Sequence, residues 1–522
     1  MTKSKENNIY KDVLDKKQKR ALLSLIIFWL ILLTFFTIWW FEKRHFITNY
    51  GFILNSIIIF WNYFIPAYFF YFVYRMKIVD ENLDIPTFRV AMVVTKAPSE
   101  PFSILERTLK ACLEQKYPHD TWVADEDPND EAIEWYKKNN IKLSTRKNVA
   151  EYHNARWPRR RASKEGNLAY FYDTYGYKLY DIVVQFDIDH MPAENYLEEM
   201  VRPFIDEKVG YVSAPSICDQ NADKSWSARA RLYAEGIMHG PLQAGHTDGF
   251  APLCIGSHYA VRTKALQQIG GLGPEFAEDH STTLLFNANG WKGAHALNAI
   301  ARGDGPETFA DCMIQEFRWS RSLTVLLLTL TPKVFRKLPI KMKIQFIFSE
   351  LWYPLFSGIM IVGLSLPLLS IILQKPLVSI PYLSFLLVSI ILDISIFAIV
   401  IFLKKNKLLR PVNAKIISWE VIIFQLARWP YVIYGITMGI FDAISKSDFK
   451  IMITPKGGTA KKEFPMGILS PYIALLIIYL SVLYFSDYTP DISGYYYFSY
   501  LILLYYFISI GVILSKHNSE NN

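Results

Sequence analysis

Cysteine is scarce: the chain has four in 522 residues, Cys112, Cys218, Cys254 and Cys312. None stands at zinc-finger spacing and no His/Cys cluster accompanies them, which excludes a structural zinc site; they read as reduced thiols in a cytoplasmic domain. The N-terminal segment is not expected to be a cleavable leader. Lys3 to Arg20 is polar and basic, and the apolar run behind it is too long for a signal-peptide core. No internal repeat and no low-complexity tract occurs beyond the polar ends, which excludes a repeat architecture. Long apolar runs are absent from the middle of the chain, which therefore reads as an ordinary water-soluble domain. They are concentrated at the two ends, and they lift the hydrophobic content to 51%, too apolar for a soluble protein of this size.

The end runs set the topology. Ala21 to Phe41 and Phe52 to Tyr74 are each long enough to span a bilayer. Basic residues Lys16 to Arg20 precede the first, and Arg75 and Lys77 follow the second, so the N-terminus and the middle domain are expected in the cytoplasm. Much of the net charge of +8 lies beside these runs, so it reads first as membrane topology and second as ligand binding, and no nucleic-acid partner is expected. Ile344 to Leu373, Ser379 to Leu403, Ile468 to Phe485 and Tyr495 to Leu514 read as further spans. Ile416 to Phe441 is apolar but carries Glu420, Arg428 and Pro430, and lies between basic loops at 404–410 and 446–462. A single crossing between two cytoplasmic loops is impossible, so this segment reads as interfacial or re-entrant. About six spans result. The expected organisation is a cytoplasmic segment 1–20, two spans in 21–77, a cytoplasmic domain with an interfacial helix in 78–338 and two spans in 339–410. An interfacial segment with a loop follows in 411–465, then two spans and a short tail in 466–522.

Within 78–338, β-like runs alternate with helix-like ones. Arg89 to Thr95, Thr121 to Ala124 and Tyr180 to Phe186 read as strands, Phe102 to Gln115 as a helix. Such alternation implies a mostly parallel sheet covered by helices, with ligands beyond the carboxyl ends of its strands. Acidic residues stand there: Asp125-Glu126-Asp127, and Asp187-Ile-Asp189-His190. Three more stations are Lys164-Glu-Gly166-Asn167 after an arginine run, Glu278-Asp279-His280, and Gln315-Glu-Phe-Arg318-Trp319.

Each station suits one need of sugar transfer from a nucleotide diphosphate. The leaving diphosphate must be neutralised, a base must take the acceptor's proton, and the acceptor sugar must be held in line. Alternation along a strand puts Asp187 and Asp189 on one side. Asp189 is assigned to a divalent metal, Mg²⁺ or Mn²⁺, and Asp187 to the nucleotide or the same metal. Asp279 follows a Gly-rich turn at a helix start; it is read as the base, with a helix-capping acid as the competing reading. Gln315, Arg318 and Trp319 share a helix face, Arg318 suiting a diphosphate and Trp319 a sugar ring; an interfacial helix with an anchoring Trp competes. Lys164 suits a phosphate; a solvated basic loop competes. Glu350 and Asp393 fall within predicted spans and are expected to face a cavity.

The ordered set resembles family 2 glycosyltransferases of the cellulose synthase type, which have a GT-A catalytic domain between membrane helices. The resemblance covers almost the whole chain. It implies that Asp125 and Glu126 contact the nucleotide, Lys164 and Arg318 the diphosphate, Asp187 the nucleotide and Asp189 the metal. Asp279 would be the base, and Gln315 and Trp319 acceptor residues. Cys254-Ile-Gly256-Ser257 is similar to the family's acceptor segment, with Ile255 inserted. Ile453-Thr454-Pro-Lys456-Gly457 is similar to the gating loop of processive members, so Thr454 and Lys456 would close over the donor.

The resemblance further implies inversion at the anomeric carbon and a β-linked polymer passed through the plasma membrane, with both termini cytoplasmic. UDP-glucose giving a β-glucan is the first choice. Hyaluronan-, chitin- or mannan-like synthesis, single-sugar transfer to a lipid or glycan, and an inactive transport or scaffold protein are the alternatives. Accessory export subunits are compatible with it. The chain ends eight residues after Leu514, so a fused cyclic-dinucleotide-binding domain is not expected.

Overall fold

The computed structural model describes residues 9–274, 277–445 and 466–520. Its middle is a seven-stranded sheet. In spatial order the strands are Lys292–His295, Val209–Ser213, His258–Arg262, Ile182–Phe186, Val90–Lys96, Asp120–Asp125 and Lys142–Ser144. Only His258–Arg262 runs against the rest. The expected mostly parallel sheet is therefore present, with one reversed strand. That reversal brings His258 opposite Phe186, so Gly256 and Ser257 enter at the carboxyl edge of the parallel strands.

The strands are buried on both faces, as their near-continuous β-branched composition requires. Period-two alternation sends Val90, Met92 and Val94 into one apolar layer and Ala91 and Val93 into the other. Ile182, Val184 and Phe186 join the first layer and Val183 the second.

Among the described residues, seven helices are long and apolar enough to cross a membrane: Lys16–Trp40, Asn49–Tyr74, Ile340–Leu373, Tyr382–Lys405, Trp419–Ser445, Met466–Phe485 and Pro490–His517. The N-terminal pair is closed by a strand pairing, Tyr10–Asp12 antiparallel to Lys77–Val79, with Tyr10 opposite Val79. The residues before the first helix and after the second thus meet at the same end of the pair, beside the α/β domain.

The expectation of about six spans left Ile416 to Phe441 out. The structure makes this region two successive helices, Trp419–Ala427 and Trp429–Ser445, broken at Arg428. Its charges are met from the α/β domain: Glu420 by Arg229 at 3.1 Å, Arg428 by Glu316 at 3.0 Å, and Asp442 by Arg321 at 2.5 Å. Trp429–Ser445 packs against Phe309–Thr329 at close range. A Cβ on Gly435 would collide with the Ser320 hydroxyl and the Phe317 carbonyl, so only glycine permits this approach.

The two intramembrane acids part company. Glu350 is fully buried, accepting from Thr331 Oγ1 at 2.7 Å, with His280 Nε2 at 3.4 Å. Asp393 faces outward on Tyr382–Lys405, between the exposed Ile390 and Ile394. Asp393 is therefore not enclosed as Glu350 is; its carboxyl lies at the surface of the described chain, within electrostatic reach of Tyr63 on Asn49–Tyr74.

Candidate active site

Lys164 is the hub. It opens a helix, Lys164–Phe171, whose N-cap Ser163 accepts from the Gly166 N–H at 3.1 Å. Its Nζ donates to Asp187 Oδ1 at 2.6 Å and to the Gly256 carbonyl at 2.5 Å. The Gly256 N–H in turn donates to Asp279 Oδ2 at 2.8 Å. The Asp187 N–H donates to the Ser257 carbonyl at 2.7 Å. Three stations that are far apart in sequence therefore join through one lysine and one glycine. A Cβ on Gly256 would lie 3.0 Å from Asp279 Oδ2, so the residue's smallness lets backbone meet carboxylate.

Asp279 sits in the first turn of Glu278–Ala288, and its Oδ1 accepts from the His280 N–H at 2.7 Å. Burial holds its pKa above the ordinary carboxylate range, against the backbone hydrogen bonds. Glu278 is more deeply enclosed and accepts from the Tyr259 hydroxyl at 2.7 Å. Burial pushes its pKa up to about 8, with Lys164 opposing and Asp279 adding to the rise.

Asp189 is 5% exposed; its Oδ1 lies 3.3 Å from His190 Nδ1, and its Oδ2 accepts from the Asp304 N–H at 3.3 Å. Asp187 is the more open of the two, with about a third of its side chain exposed (31%). Among the described residues no group of three or more His, Cys, Asp or Glu could hold a metal ion. A Mg²⁺ or Mn²⁺ at Asp187 and Asp189 would complete its shell with donor oxygens and water, which suits these hard ions.

Asp125 is fully buried at its strand end, with Lys96 Nζ at 3.4 Å and the Tyr136 hydroxyl donating at 2.9 Å. Glu126 pairs with Arg146, whose guanidinium also donates to the carbonyls of Tyr152 at 2.7 Å, Arg160 at 2.8 Å and Ser163 at 3.2 Å. Arg146 was not singled out from sequence. It lies just beyond the carboxyl end of Lys142–Ser144, the edge where ligand groups of such sheets gather, and that position is the signal that could have found it. Asn167 Nδ2 ties the lysine's helix to the Ala124 carbonyl at 2.8 Å.

Gln315, Arg318 and Trp319 lie on Phe309–Thr329, capped by Thr308 and Asp311. Burial lowers the pKa of Arg318, and the Asp187 carboxylate opposes that fall. Arg231, on Trp226–Ala234, stacks over Trp319 and donates to Gln315. The Cys254 side chain is buried in the core with Tyr172, Tyr211 and Tyr259, and its N–H donates to Thr283 Oγ1 at 2.9 Å. Thr454 and Lys456 lie outside the described residues.

A mostly parallel sheet with one reversed strand and acids gathered at its carboxyl edge defines a GT-A-like glycosyltransferase domain. Residues 86–322 match the family model described as "Glycosyltransferase like family 2". A solved mannosyltransferase from Pyrobaculum calidifontis, in complex with GDP-Man and Mn²⁺, shares the fold. Its TM-score is 0.50 at 14% identity, covering 74% of this chain and 99% of that one.

Curated relatives bear the cellulose synthase name. The UDP-forming cellulose synthase catalytic subunit of Xanthomonas axonopodis pv. citri is 25% identical over 184 residues, 34% of this chain and 25% of that protein. Cellulose synthase 1 of Komagataeibacter xylinus is 26% identical over 334 residues, 62% of this chain and 20% of that protein. The matched stretches thus span a quarter or less of each relative's length.

Proposed function

We propose that the chain is a processive, inverting glycosyltransferase that builds a β-linked polysaccharide from a UDP-sugar and passes it across the plasma membrane. UDP-glucose is the preferred donor. The observation that carries the reading is the contact chain Asp187–Lys164–Gly256–Asp279, in which a lysine suited to a diphosphate touches a candidate metal carboxylate and is joined to a candidate base through the Gly256 backbone. The α/β domain and the chain's N-terminus lie in the cytoplasm, where nucleotide sugars are made, and the polymer leaves through the helices at either end.

In this reading Asp125 and Glu126 line the nucleotide subsite, and Lys164 and Arg318 bind the departing diphosphate. Thr454 and Lys456 close over it. A bound Mg²⁺ or Mn²⁺, held by Asp189 and Asp187, would neutralise the diphosphate charge. Gly256, Ser257, Gln315 and Trp319 hold the acceptor, with Cys254 supporting their segment from the core. Asp279 takes the acceptor hydroxyl's proton as that oxygen bonds to the anomeric carbon and the bond to the diphosphate breaks. Two backbone N–H groups fix the carboxylate's direction, and burial makes it a stronger base than a solvated one.

Purified protein given UDP-glucose and Mn²⁺ is expected to release UDP and form a high-molecular-weight glucan. Asp279→Asn is expected to lower that rate by about 10²–10⁴-fold while donor KM changes little. A single-sugar adduct would replace the polymer reading. UDP release indifferent to Asp279→Asn would end the enzymatic one.

A further inference from the structure

The helix Trp226–Ala234 holds none of the residues read from the five stations, yet its Arg231 engages two of them. The Arg231 guanidinium carbon lies 3.7 Å from the Trp319 ring centroid, and Nη1 donates to Gln315 Oε1. Nη2 donates to Glu235 Oε1 at 2.9 Å, and the second oxygen of Glu235 lies 3.3 Å from His239 Nε2. The side chain is therefore held on three sides and only 12% exposed.

The supporting helix is fixed as well. Ser225 caps it, accepting from the Ala228 N–H at 3.0 Å, and donates to the Pro306 carbonyl at 3.0 Å. Trp226 stacks on Phe309, the first residue of the helix that bears Gln315 and Trp319. A planar guanidinium can lie flat on an indole while its edge donates hydrogen bonds; an ammonium cannot do both.

We propose that Arg231 is the positioning residue of the acceptor subsite. It occupies one face of Trp319 and orients Gln315, which leaves the opposite indole face for the terminal sugar of the growing chain. This assignment rests on the glycosyltransferase reading above. It predicts a defect in transfer and not in donor use, because Arg231 contacts the acceptor residues Gln315 and Trp319, while of the donor-side groups only Arg318 shares their helix and Lys164 and Asp187 sit on other elements.

The test uses the full-length protein in detergent with UDP-glucose and Mn²⁺. It compares wild type, Arg231→Met and Arg231→Lys for UDP released, sugar incorporated and donor KM. The expected result is donor KM within about twofold of wild type, while the fraction of released sugar that is incorporated falls about tenfold or more in Arg231→Met. Arg231→Lys is expected to recover only part of that fraction. An unchanged fraction in folded Arg231→Met overturns the assignment, as does a uniform fall in incorporation, UDP release and donor affinity. Should Arg231→Met fail to fold, wild-type incorporation by Arg231→Lys overturns it instead. A wild-type protein that releases UDP without incorporating sugar breaks the acceptor reading, whereas one that releases no nucleotide from any sugar donor removes the glycosyltransferase reading itself.

Discussion

At the scale of single residues, the site depends on small distances set by backbone. Gly256 bridges Lys164 and Asp279 through its carbonyl and its N–H, and an added methyl would press on Asp279 Oδ2. Gly256→Ala is expected to lower kcat by about tenfold to a hundredfold with donor KM nearly constant, measured by UDP release. Glu278 makes a second prediction. Burial raises its carboxyl from the usual 4.5 to about 8, so the folded state favours the protonated acid. The stability this contributes is complete below the unfolded pKa and is lost as pH rises toward about 8. Thermal unfolding of the donor-free protein should therefore show wild-type stability declining across that window more steeply than that of Glu278→Gln, in which Asp279 still titrates. A parallel decline in both would refute it.

At the scale of elements, the helix Phe309–Thr329 has two duties. Gln315, Arg318 and Trp319 are the site residues proposed on it, and Gly435 of the membrane-proximal helix Trp429–Ser445 packs against its Phe317 and Ser320. The Glu316–Arg428 pair is almost wholly buried, with 2% and 9% of the two side chains exposed. Removing one partner leaves an uncompensated charge, a cost of about 3–5 kcal/mol. Glu316→Ala is expected to lower the thermal midpoint of the detergent-solubilised protein clearly, and Glu316→Leu with Arg428→Leu to restore most of it. Gly435→Leu should separate the two helices and abolish transfer while leaving the sheet folded, as read by far-ultraviolet circular dichroism. Full activity in that variant would show that the helix contact is irrelevant to the site.

At the scale of the whole molecule, the proposed function requires the sheet edge, the proposed metal carboxylates and the membrane helices to act together. Chelation by EDTA is expected to stop UDP release, and Mn²⁺ or Mg²⁺ to restore it. Protein reconstituted in vesicles with its α/β domain outward should deposit protected polymer in the lumen when UDP-sugar is supplied outside. Product found only outside would refute export through the helices. The strand pairing of Tyr10–Asp12 with Lys77–Val79 puts both segments at one end of the first helix pair.

The sequence alone determined the broad plan, because its signals are local. Apolar runs of bilayer length mark spans wherever they fold, and β-branched runs ending in acids mark strand ends. The stations around Asp125, Lys164, Asp187, Asp279 and Trp319 were legible for the same reason: each is a short motif. What only tertiary structure decided are the relations between distant segments. His258–Arg262 runs backwards because its neighbours leave it that place, and Gly256 matters because a carboxylate from 23 residues away approaches its N–H. Asp393 stays at the surface while Glu350 is enclosed, since periodicity in a uniformly apolar run does not say which face meets protein. Arg146 and Arg231 lie in no motif; long cations acquire roles through partners that the chain brings near only after folding.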